Sequence, residues 1–137
     1  MKSVNVVADY REKSSGIPSM LIELGLKVTY QNLSVGDYIL PNQYAVERKE
    51  AGDFLSSMLS GRLFDQAYRL REAYHKAFFI VEGDIQEVLN GFPKPKALWG
   101  ALTSLTLRYN GHVFFTASKK QTAELLSIIA HQTTETR

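Results

Sequence analysis

The sequence predicts an α/β domain in which helices flank both faces of a central mixed sheet. Short apolar runs typical of buried strands alternate with longer segments whose apolar residues recur every three or four positions, as in amphipathic helices. The order of these segments is β-α-β-β-β-α-α-β-α-β-α. A meander followed by helical crossovers implies parallel and antiparallel strands in one sheet. The 137 residues, 45% of them hydrophobic, suffice for one domain with its own core.

Composition excludes several classes of protein. The absence of cysteine rules out a disulfide scaffold, a thiol nucleophile and a zinc site built on cysteine. No apolar run approaches the roughly 18 residues that span a bilayer, and the first residues do not resemble a signal peptide. We therefore expect an intracellular protein, in the cytoplasm or nucleoid of a prokaryote or in a eukaryotic nucleus. A net charge of +2 is too small to indicate a nucleic-acid partner by itself.

The first half of the chain contains three predicted strands after an initial one. Residues 4–8 form a valine-rich buried strand that ends in the polar cluster at 9–13. A loop at 14–18 starts a short helix, which Gly25 is placed to end. The next strands are expected at 26–30, 35–40 and 44–49, and the last two form a β-hairpin around Pro41-Asn42-Gln43.

The second half alternates helices with strands. Apolar spacing predicts a helix from about residue 53 to 59 and another from 63 to 74, with Gly61 between them. A buried strand, a short helix, a long helix, a last strand and a final helix follow at 77–81, 85–89, 96–109, 112–116 and 118–130. Asn110-Gly111 is the stop signal for the long helix.

The hairpin places two acidic residues opposite each other. If Leu40 pairs with Tyr44, Asp37 faces Glu47 with their Cβ atoms about 5 Å apart. Like charges destabilise a sheet unless something compensates, and carboxylate oxygens are ligands that suit Mg²⁺ or Mn²⁺. Lys49 lies on the same face as Glu47 and is suited to orienting a water that such a metal activates. The pattern predicts phosphoryl hydrolysis; the alternative is a solvent-facing Glu–Lys pair on an edge strand.

Two further acidic positions are candidates for the same site. Asp9, Arg11 and Glu12 follow a buried strand, where the loops of an open sheet place functional groups. A charged turn is the alternative interpretation of this cluster. Asp53 begins a predicted helix, so we expect it to be an N-cap, with a role in shaping the site as the alternative.

The predicted helix at 63–74 carries a polar stripe of candidate phosphate-binding residues. Arg62, Gln66 and Arg69 recur at helical spacing and either contact phosphates or form a solvated face. The three histidines are far apart and lack the spacing of metal ligands. No phosphate-binding GxxxxGK[ST] run is present, which excludes a nucleotide-driven motor of that type within this sequence.

Four motifs together resemble the XPF family of structure-specific DNA endonucleases. Residues 47–49 followed by Asp53 match the ERKxxxD signature, and residues 36–38 look like the family's GDY element. Residues 9–12 resemble its D-x-R-E element, and residues 61–66 resemble its GRLxxQ stretch. Their order and spacing agree from about residue 4 to residue 83. Within the family, the likeness is to the nuclease domain of the archaeal Hef proteins.

This resemblance implies a restriction-endonuclease-like PD-(D/E)xK fold and dependence on Mg²⁺ or Mn²⁺. It also implies incision of branched DNA, such as forks, flaps and splayed arms, in DNA repair or replication-fork processing. Carried over by motif, the implied metal ligands are Asp37, Glu47, the backbone carbonyl of Arg48 and, directly or through water, Asp9. Lys49 would assist the attacking water. The residues that would shape the site or hold phosphates are Arg11, Glu12, Asp53, Arg62 and Gln66.

Two other functions remain open from the residues alone. A DNA-binding or scaffolding module with a vestigial acidic cluster is one alternative, and a nuclease of the same fold acting on RNA or duplex ends is another. Every catalytic residue type of the family is present, unlike in its degenerate, non-cutting subunits. We expect residues 1–137 to form a single nuclease domain, without the family's usual helix-hairpin-helix domain and without a helicase domain.

The last two predicted helices suggest self-association. They carry more apolar positions than one buried stripe needs, including Leu98, Trp99 and Leu102 on the first and Leu125 and Ile128 on the second. The resemblance implies that such nuclease domains pair through these helices. We expect a homodimer, or a heterodimer with a related subunit. The alternative is that both stripes simply pack on the sheet.

Overall fold

A computed structural model describes residues 3–134 as a six-stranded sheet with helices on both faces. The elements follow the predicted order, with both the short and the long helix present between the last two strands, and 3₁₀ turns over Tyr10–Ser15 and Pro41–Gln43 are added. The strands and helices are β1 (Asn5–Asp9), α1 (Ile17–Glu23), β2 (Lys27–Gln31), β3 (Tyr38–Leu40), β4 (Tyr44–Glu50), α2 (Ala51–Ser60), α3 (Arg62–Ala73), β5 (Lys76–Glu82), α4 (Ile85–Asn90), α5 (Lys96–Tyr109), β6 (Gly111–Thr116) and α6 (Lys119–Thr133).

The sheet is mixed, as predicted, and its polarity determines where the loops meet. The strand order is β2-β1-β3-β4-β5-β6. The pairs β1–β2, β4–β5 and β5–β6 are parallel, while β3 runs antiparallel to both of its neighbours. Because β3 alone is reversed, the carboxyl ends of the other five strands lie at one edge of the sheet. Open α/β sheets place their functional groups at such an edge.

Each face of the sheet carries its own core. Helices α2, α3 and α5 cover one face through residues such as Phe54, Leu63 and Leu105. Helices α1 and α6 cover the other face through residues such as Leu21 and Leu126. Side chains alternate between the two faces along a strand. The odd-numbered residues of β4 therefore face α2 and α3, and its even-numbered residues face α1 and α6.

Two elements begin two or more residues away from their predicted starts. Strand β3 begins at Tyr38 rather than at residue 35, because Gly36 adopts a φ of +88° that ends extended pairing before it. Helix α2 begins at Ala51, directly after β4, with Glu50 at its N-cap. The expectation that Asp53 is the N-cap was therefore wrong: Asp53 is an exposed residue of the first helical turn.

The two C-terminal helices leave different amounts of apolar surface uncovered. Helix α6 packs on the sheet through Leu126 and Ile129, as the alternative to self-association predicted for it, although Ile128 stays exposed. Helix α5 buries one side but leaves Trp99 65% exposed and Leu107 77% exposed. None of the helices within residues 3–134 has the length and apolar character needed to cross a membrane.

Candidate active site

Three acidic side chains, one each from β1, the residue before β3, and β4, lie in one row. β3 pairs with β4 in the predicted register as far as Tyr38 and Val46, and the preceding Asp37 N–H donates to the Val46 carbonyl at 2.8 Å, which leaves Asp37 beside Glu47. The antiparallel register of β1 and β3 continues to place Asp9 opposite Asp37, and the Asp9 N–H donates to the Asp37 carbonyl at 2.8 Å. All three residues therefore face α2 and α3. This acidic row is at the edge where the parallel strands end.

The central pair of the row is buried and electrostatically strained. Asp37 is 9% exposed and Glu47 is 7% exposed. Burial, followed by the negative charge of Glu47, raises the pKa of Asp37 to about 8, although the Arg48 N–H donates to its Oδ2 at 2.8 Å. Burial also raises the pKa of Glu47, against the opposing charge of Lys49, whose Nζ lies 3.5 Å from Glu47 Oε2. In the protein alone, the pair does not carry two full negative charges at neutral pH.

This pair provides the donor atoms that a hard divalent cation needs. Mg²⁺ is commonly bound by one or two carboxylates and completes its shell with waters and substrate phosphates. The N–H and C=O of one residue in an extended strand point to the same side, so the carbonyl of Arg48 is directed toward Asp37, where its N–H already donates. Within residues 3–134, no three histidine or acidic side chains are grouped as a preformed metal site. The residues fit a cation that takes its other ligands from water and substrate.

Asp9, at the outer end of the row, holds Arg11 in place. Its Oδ2 accepts from the backbone N–H of Arg11 at 2.8 Å and from the Arg11 Nε at 2.6 Å, and its Oδ1 accepts from the Leu33 N–H at 2.7 Å. Burial alone would raise the pKa of Asp9, but these hydrogen bonds outweigh it and hold the pKa below its usual value. Asp9 thus stays ionised and presents the exposed Arg11 guanidinium beside the acidic pair. Its binding of a metal stays a prediction.

The side chain of Arg48 lies on the opposite face, in a buried ionic network. It is only 9% exposed and binds Glu82 at two points, Nε to Oε1 at 3.1 Å and Nη2 to Oε2 at 2.7 Å. Its Nη1 lies 3.2 Å from Glu12 Oε2. Glu12 also accepts from the Tyr38 hydroxyl at 2.6 Å, and Glu82 from the Thr122 hydroxyl at 2.6 Å. The sequence interpretation grouped Glu12 and Arg48 with the acidic row. Their side chains instead lie on the α1/α6 face, where they link β4 to the 3₁₀ turn and to β5.

Glu82 and Thr122 were missed by the sequence interpretation. Glu82 had a signal, because a carboxylate ends an otherwise apolar strand that runs parallel to the one containing Arg48. Burial would raise its pKa, but the hydrogen bonds from Arg48 and Thr122 hold the pKa of Glu82 below its usual value. Thr122 had no signal, because its contact with Glu82 depends on how α6 docks against β5.

The predicted stripe on α3 is divided between different environments. Arg62 is exposed at the start of the helix. The Gln66 side chain is half-buried, and its Oε1 finds no hydrogen-bond donor among the residues that the structure describes. Arg69 donates to the Ser34 carbonyl at 2.9 Å and so ties α3 to the loop before β3. All three residues stay candidates for phosphate contacts, because the exposed Arg69 guanidinium keeps further N–H donors beside the one that binds Ser34.

Comparison with known proteins identifies the family. The profile of the ERCC4 domain matches residues 8–129, a span that holds the acidic row, Lys49 and the Arg48 network. The chain belongs to the ERCC4 domain family. The resemblance to XPF nucleases in its motifs is thereby confirmed.

Relatives of this ERCC4 domain include DNA repair endonucleases. It is 43% identical over 129 residues to the 3'-flap repair endonuclease Xpf of Saccharolobus solfataricus, and this covers 94% of the chain and 55% of the relative. It is 37% identical over 79 residues to the DNA repair endonuclease XPF of Drosophila melanogaster, covering 58% of the chain and 8% of the relative. The chain thus spans about half the length of the archaeal relative and a small part of the insect one.

A solved structure shares the fold of this ERCC4 domain. XPF from Aeropyrum pernix in complex with DNA superposes with a TM-score of 0.88 at 36% identity, covering 96% of the chain and 65% of that chain. A second structure of XPF from Aeropyrum pernix gives a TM-score of 0.87. The expected restriction-endonuclease-like fold is therefore confirmed.

Proposed function

We propose that this domain is a metal-dependent, structure-specific endonuclease that hydrolyses phosphodiester bonds in branched DNA. The observation that carries the proposal is the buried Asp37–Glu47 pair with Lys49 beside it. Two comparisons support the choice of substrate. A relative covering most of the chain is named a 3'-flap repair endonuclease, and a structural neighbour was solved with DNA. Forks, flaps and splayed arms are the substrates to test first, in the context of repair or fork processing.

Asp37 and Glu47 would hold Mg²⁺ or Mn²⁺ together with the Arg48 carbonyl and, as the family resemblance implies, Asp9. When bound, such a cation polarises a phosphoryl oxygen and makes water a stronger nucleophile at neutral pH. Asp37 and Glu47 then ionise together, because a nearby positive charge lowers the pKa of both. This accounts for a fold that keeps two mutually repelling carboxyl groups buried.

The basic residues around the row have separate tasks. Lys49 is held close to Glu47, so its ammonium is positioned to stabilise the negative charge that develops on the phosphate and to orient the attacking water. The exposed Arg11, fixed by Asp9, would bind a phosphate of the substrate strand. Arg62 and Gln66 on α3 would hold neighbouring phosphates.

Cleavage of a labelled fork and a labelled 3'-flap with Mg²⁺ or Mn²⁺ tests the proposal. We expect cutting that EDTA abolishes and that Glu47→Gln and Lys49→Met each slow by at least about a hundredfold, the scale of losing one group that stabilises the transition state. Glu124→Gln, an exposed glutamate of α6, is the matched control and should cut at the normal rate. Cleavage that persists in EDTA or in Asp37→Ala would contradict the metal mechanism.

Calorimetric titration of Mn²⁺ separates the nuclease from the non-catalytic alternative. Binding in the unaltered protein that is lost in Asp37→Asn supports a functional metal site. If Mn²⁺ does not bind and no substrate is cut, the domain is a DNA-binding or scaffolding module. A panel of single-stranded, duplex, forked and RNA substrates defines which nucleic acid is cut.

We further propose that two copies pair through α5, or that one copy pairs with a related subunit. Trp99 and Leu107 lie on the same exposed side of this helix, on a surface that Thr103, Thr106 and the half-buried Leu102 share. A monomer seldom leaves large apolar side chains clustered in solvent. Pairing of equivalent helices about a two-fold axis would cover both copies of this surface.

A further inference from the structure

Two stacked tyrosines lie at the edge of the sheet where β1 ends, on the face that α1 and α6 cover. Tyr10 directly follows Asp9, and its ring stacks on Tyr30 of β2 with the ring centres 5.7 Å apart and an angle of 17° between the planes. Tyr10 is nevertheless 54% exposed. One face of its ring therefore rests on Tyr30, while the other face is open to solvent.

The base of this stack is fixed by the core. Tyr30 is half-buried and packs against the cluster beneath α1 and α6. Tyr10 begins the 3₁₀ turn, which Asp9 caps by accepting from the Arg11 N–H. A ring held in place from both its backbone and its stacking partner loses little conformational entropy when something binds to it.

Positively charged side chains lie near the stack. The Lys13 Nζ lies 5.5 Å from the centre of the Tyr30 ring. Arg11 is exposed and held at the acidic row by Asp9. An exposed aromatic ring with cations nearby suits single-stranded nucleic acid, because bases stack on the ring and backbone phosphates contact the cations.

We propose that Tyr10 is a stacking platform for one unpaired base of the DNA strand that enters the acidic row. The inference rests on the proposed function and names a feature of the substrate that this site selects. Tyr10 lies between Asp9 and Arg11 in the chain, so a phosphate at Arg11 brings an adjacent base within reach of the ring. Inside a duplex both faces of a base are covered by its neighbours. The platform therefore favours the unpaired arm of a fork or flap over continuous duplex.

Binding measured without cleavage tests the platform. A single-stranded oligonucleotide with one 2-aminopurine is titrated with the Glu47→Gln protein in EDTA, and its fluorescence reports stacking. We expect Tyr10→Ala in this background to weaken single-strand binding by about 5- to 100-fold, the range for losing one base–aromatic stack, and to lose the quenching. Tyr10→Phe should retain both, and duplex binding should change less than about twofold in either variant.

Ile22→Ala is the matched control, because Ile22 is also 54% exposed but lies on α1. It should bind like the Glu47→Gln parent. The platform is overturned if Tyr10→Ala binds normally, if Tyr10→Phe loses as much as Tyr10→Ala, or if duplex binding falls in parallel. A Tyr10→Ala protein that changes only its oligomeric state would assign the tyrosine to a protein interface instead. This test uses neither metal nor turnover. It is therefore independent of the cleavage assay, in which failure of the wild-type protein to cut with Mn²⁺ would overturn the proposed function.

Discussion

Asp37 makes the stability of the domain dependent on pH. Its pKa is about 8 in the folded protein, against an ordinary value of 3.8 that applies in the unfolded chain. Between these two values the folded state binds more protons than the unfolded state. The free energy of unfolding therefore decreases as the pH rises from about 4 to about 8 in the absence of metal.

Asp37→Asn should remove the part of this pH dependence that comes from Asp37; the part from Glu47, whose pKa is also raised, remains. The amide is neutral at every pH and its carbonyl oxygen still accepts from the Arg48 N–H, so only the charge is lost. In EDTA at pH 8 we expect the variant to be more stable than wild type by about 1–3 kcal/mol, the range in which single substitutions act. The difference should shrink toward pH 5. Urea unfolding at both pH values measures it, and a difference that does not change with pH would show that Asp37 is ionised throughout.

Arg48 should matter for stability more than its neighbours in β4. Arg48→Met leaves the buried carboxylates of Glu12 and Glu82 without their cation, and removing one partner of a buried ion pair typically costs about 3–5 kcal/mol. Urea unfolding should show this loss. Adding Glu82→Gln to Arg48→Met should cost less than Glu82→Gln alone, because the pair is then already broken. Additive losses would mean that the two side chains do not act together.

At the scale of the elements, one glycine determines where β3 begins. Gly36 has a φ of +88°, and a Cβ there would lie 3.3 Å from Leu70 Cδ2 of α3. Both the left-handed backbone and the close approach of α3 exclude a side chain without strain. Because Asp37 is the next residue, this turn also determines where along the sheet the acidic row lies.

Two glycine substitutions should have opposite effects on stability. Gly36→Ala is expected to lower the free energy of unfolding by about 1–3 kcal/mol because the left-handed conformation is strained for alanine. Gly52→Ala is the control: Gly52 lies inside α2, and a Cβ added to it would meet no other atom within 4 Å, so alanine should stabilise by about 0.5–1 kcal/mol. Thermal unfolding of both variants measures the contrast. Equal shifts would indicate that the turn relaxes.

The acidic pair could be predicted from the sequence because it depends on local geometry. A three-residue loop fixes the register of the hairpin, and alternation then places Asp37 and Glu47 on one face. The start of β3 was misjudged because the apolar residues at both ends of 35–40 suggest one continuous strand, although a left-handed glycine interrupts it. Asp53 was misjudged because β4 runs straight into α2, which moves the helix start back to Ala51.

The rest of the site depends on contacts between distant segments. Asp9 joins the row only because β3 inserts beside β1, a choice of neighbour that the order of elements does not determine. The same holds for the network, since Arg48, Glu82 and Thr122 come from three elements far apart in the chain. Residue patterns indicate which strands are buried, but not which side chains meet between them.

At the scale of the whole molecule, the polarity of the sheet concentrates chemistry at one edge. Five of the six strands end there, and each of three neighbouring strands contributes one acidic residue to the row. The exposed side of α5 belongs to the face that α2, α3 and α5 cover. We expect this helix to remain available for pairing when DNA occupies the edge.

Leu107→Glu should disrupt the proposed pairing. Leu107 is 77% exposed, so a charge there costs nothing in the monomer but would be buried in a dimer. Sedimentation equilibrium at micromolar concentration should give a dimer mass for wild type and a monomer mass for the variant. Leu24→Glu, an exposed leucine beside α1, is the control and should leave the mass unchanged. A wild-type monomer at every concentration would reject pairing through α5.

The alternation of side chains along β4 also bears on how such domains diverge after gene duplication. Glu47 and Lys49 face one side, while Arg48 binds Glu12 and Glu82 on the other. A duplicate that replaces Glu47 and Lys49 by neutral residues keeps every ion pair of the Arg48 network. Its fold, and any surface it shares with its sister copy, would survive the loss of cutting. Selection acts separately on the two faces of one strand, which gives an inactive copy a direct route to a lasting structural role.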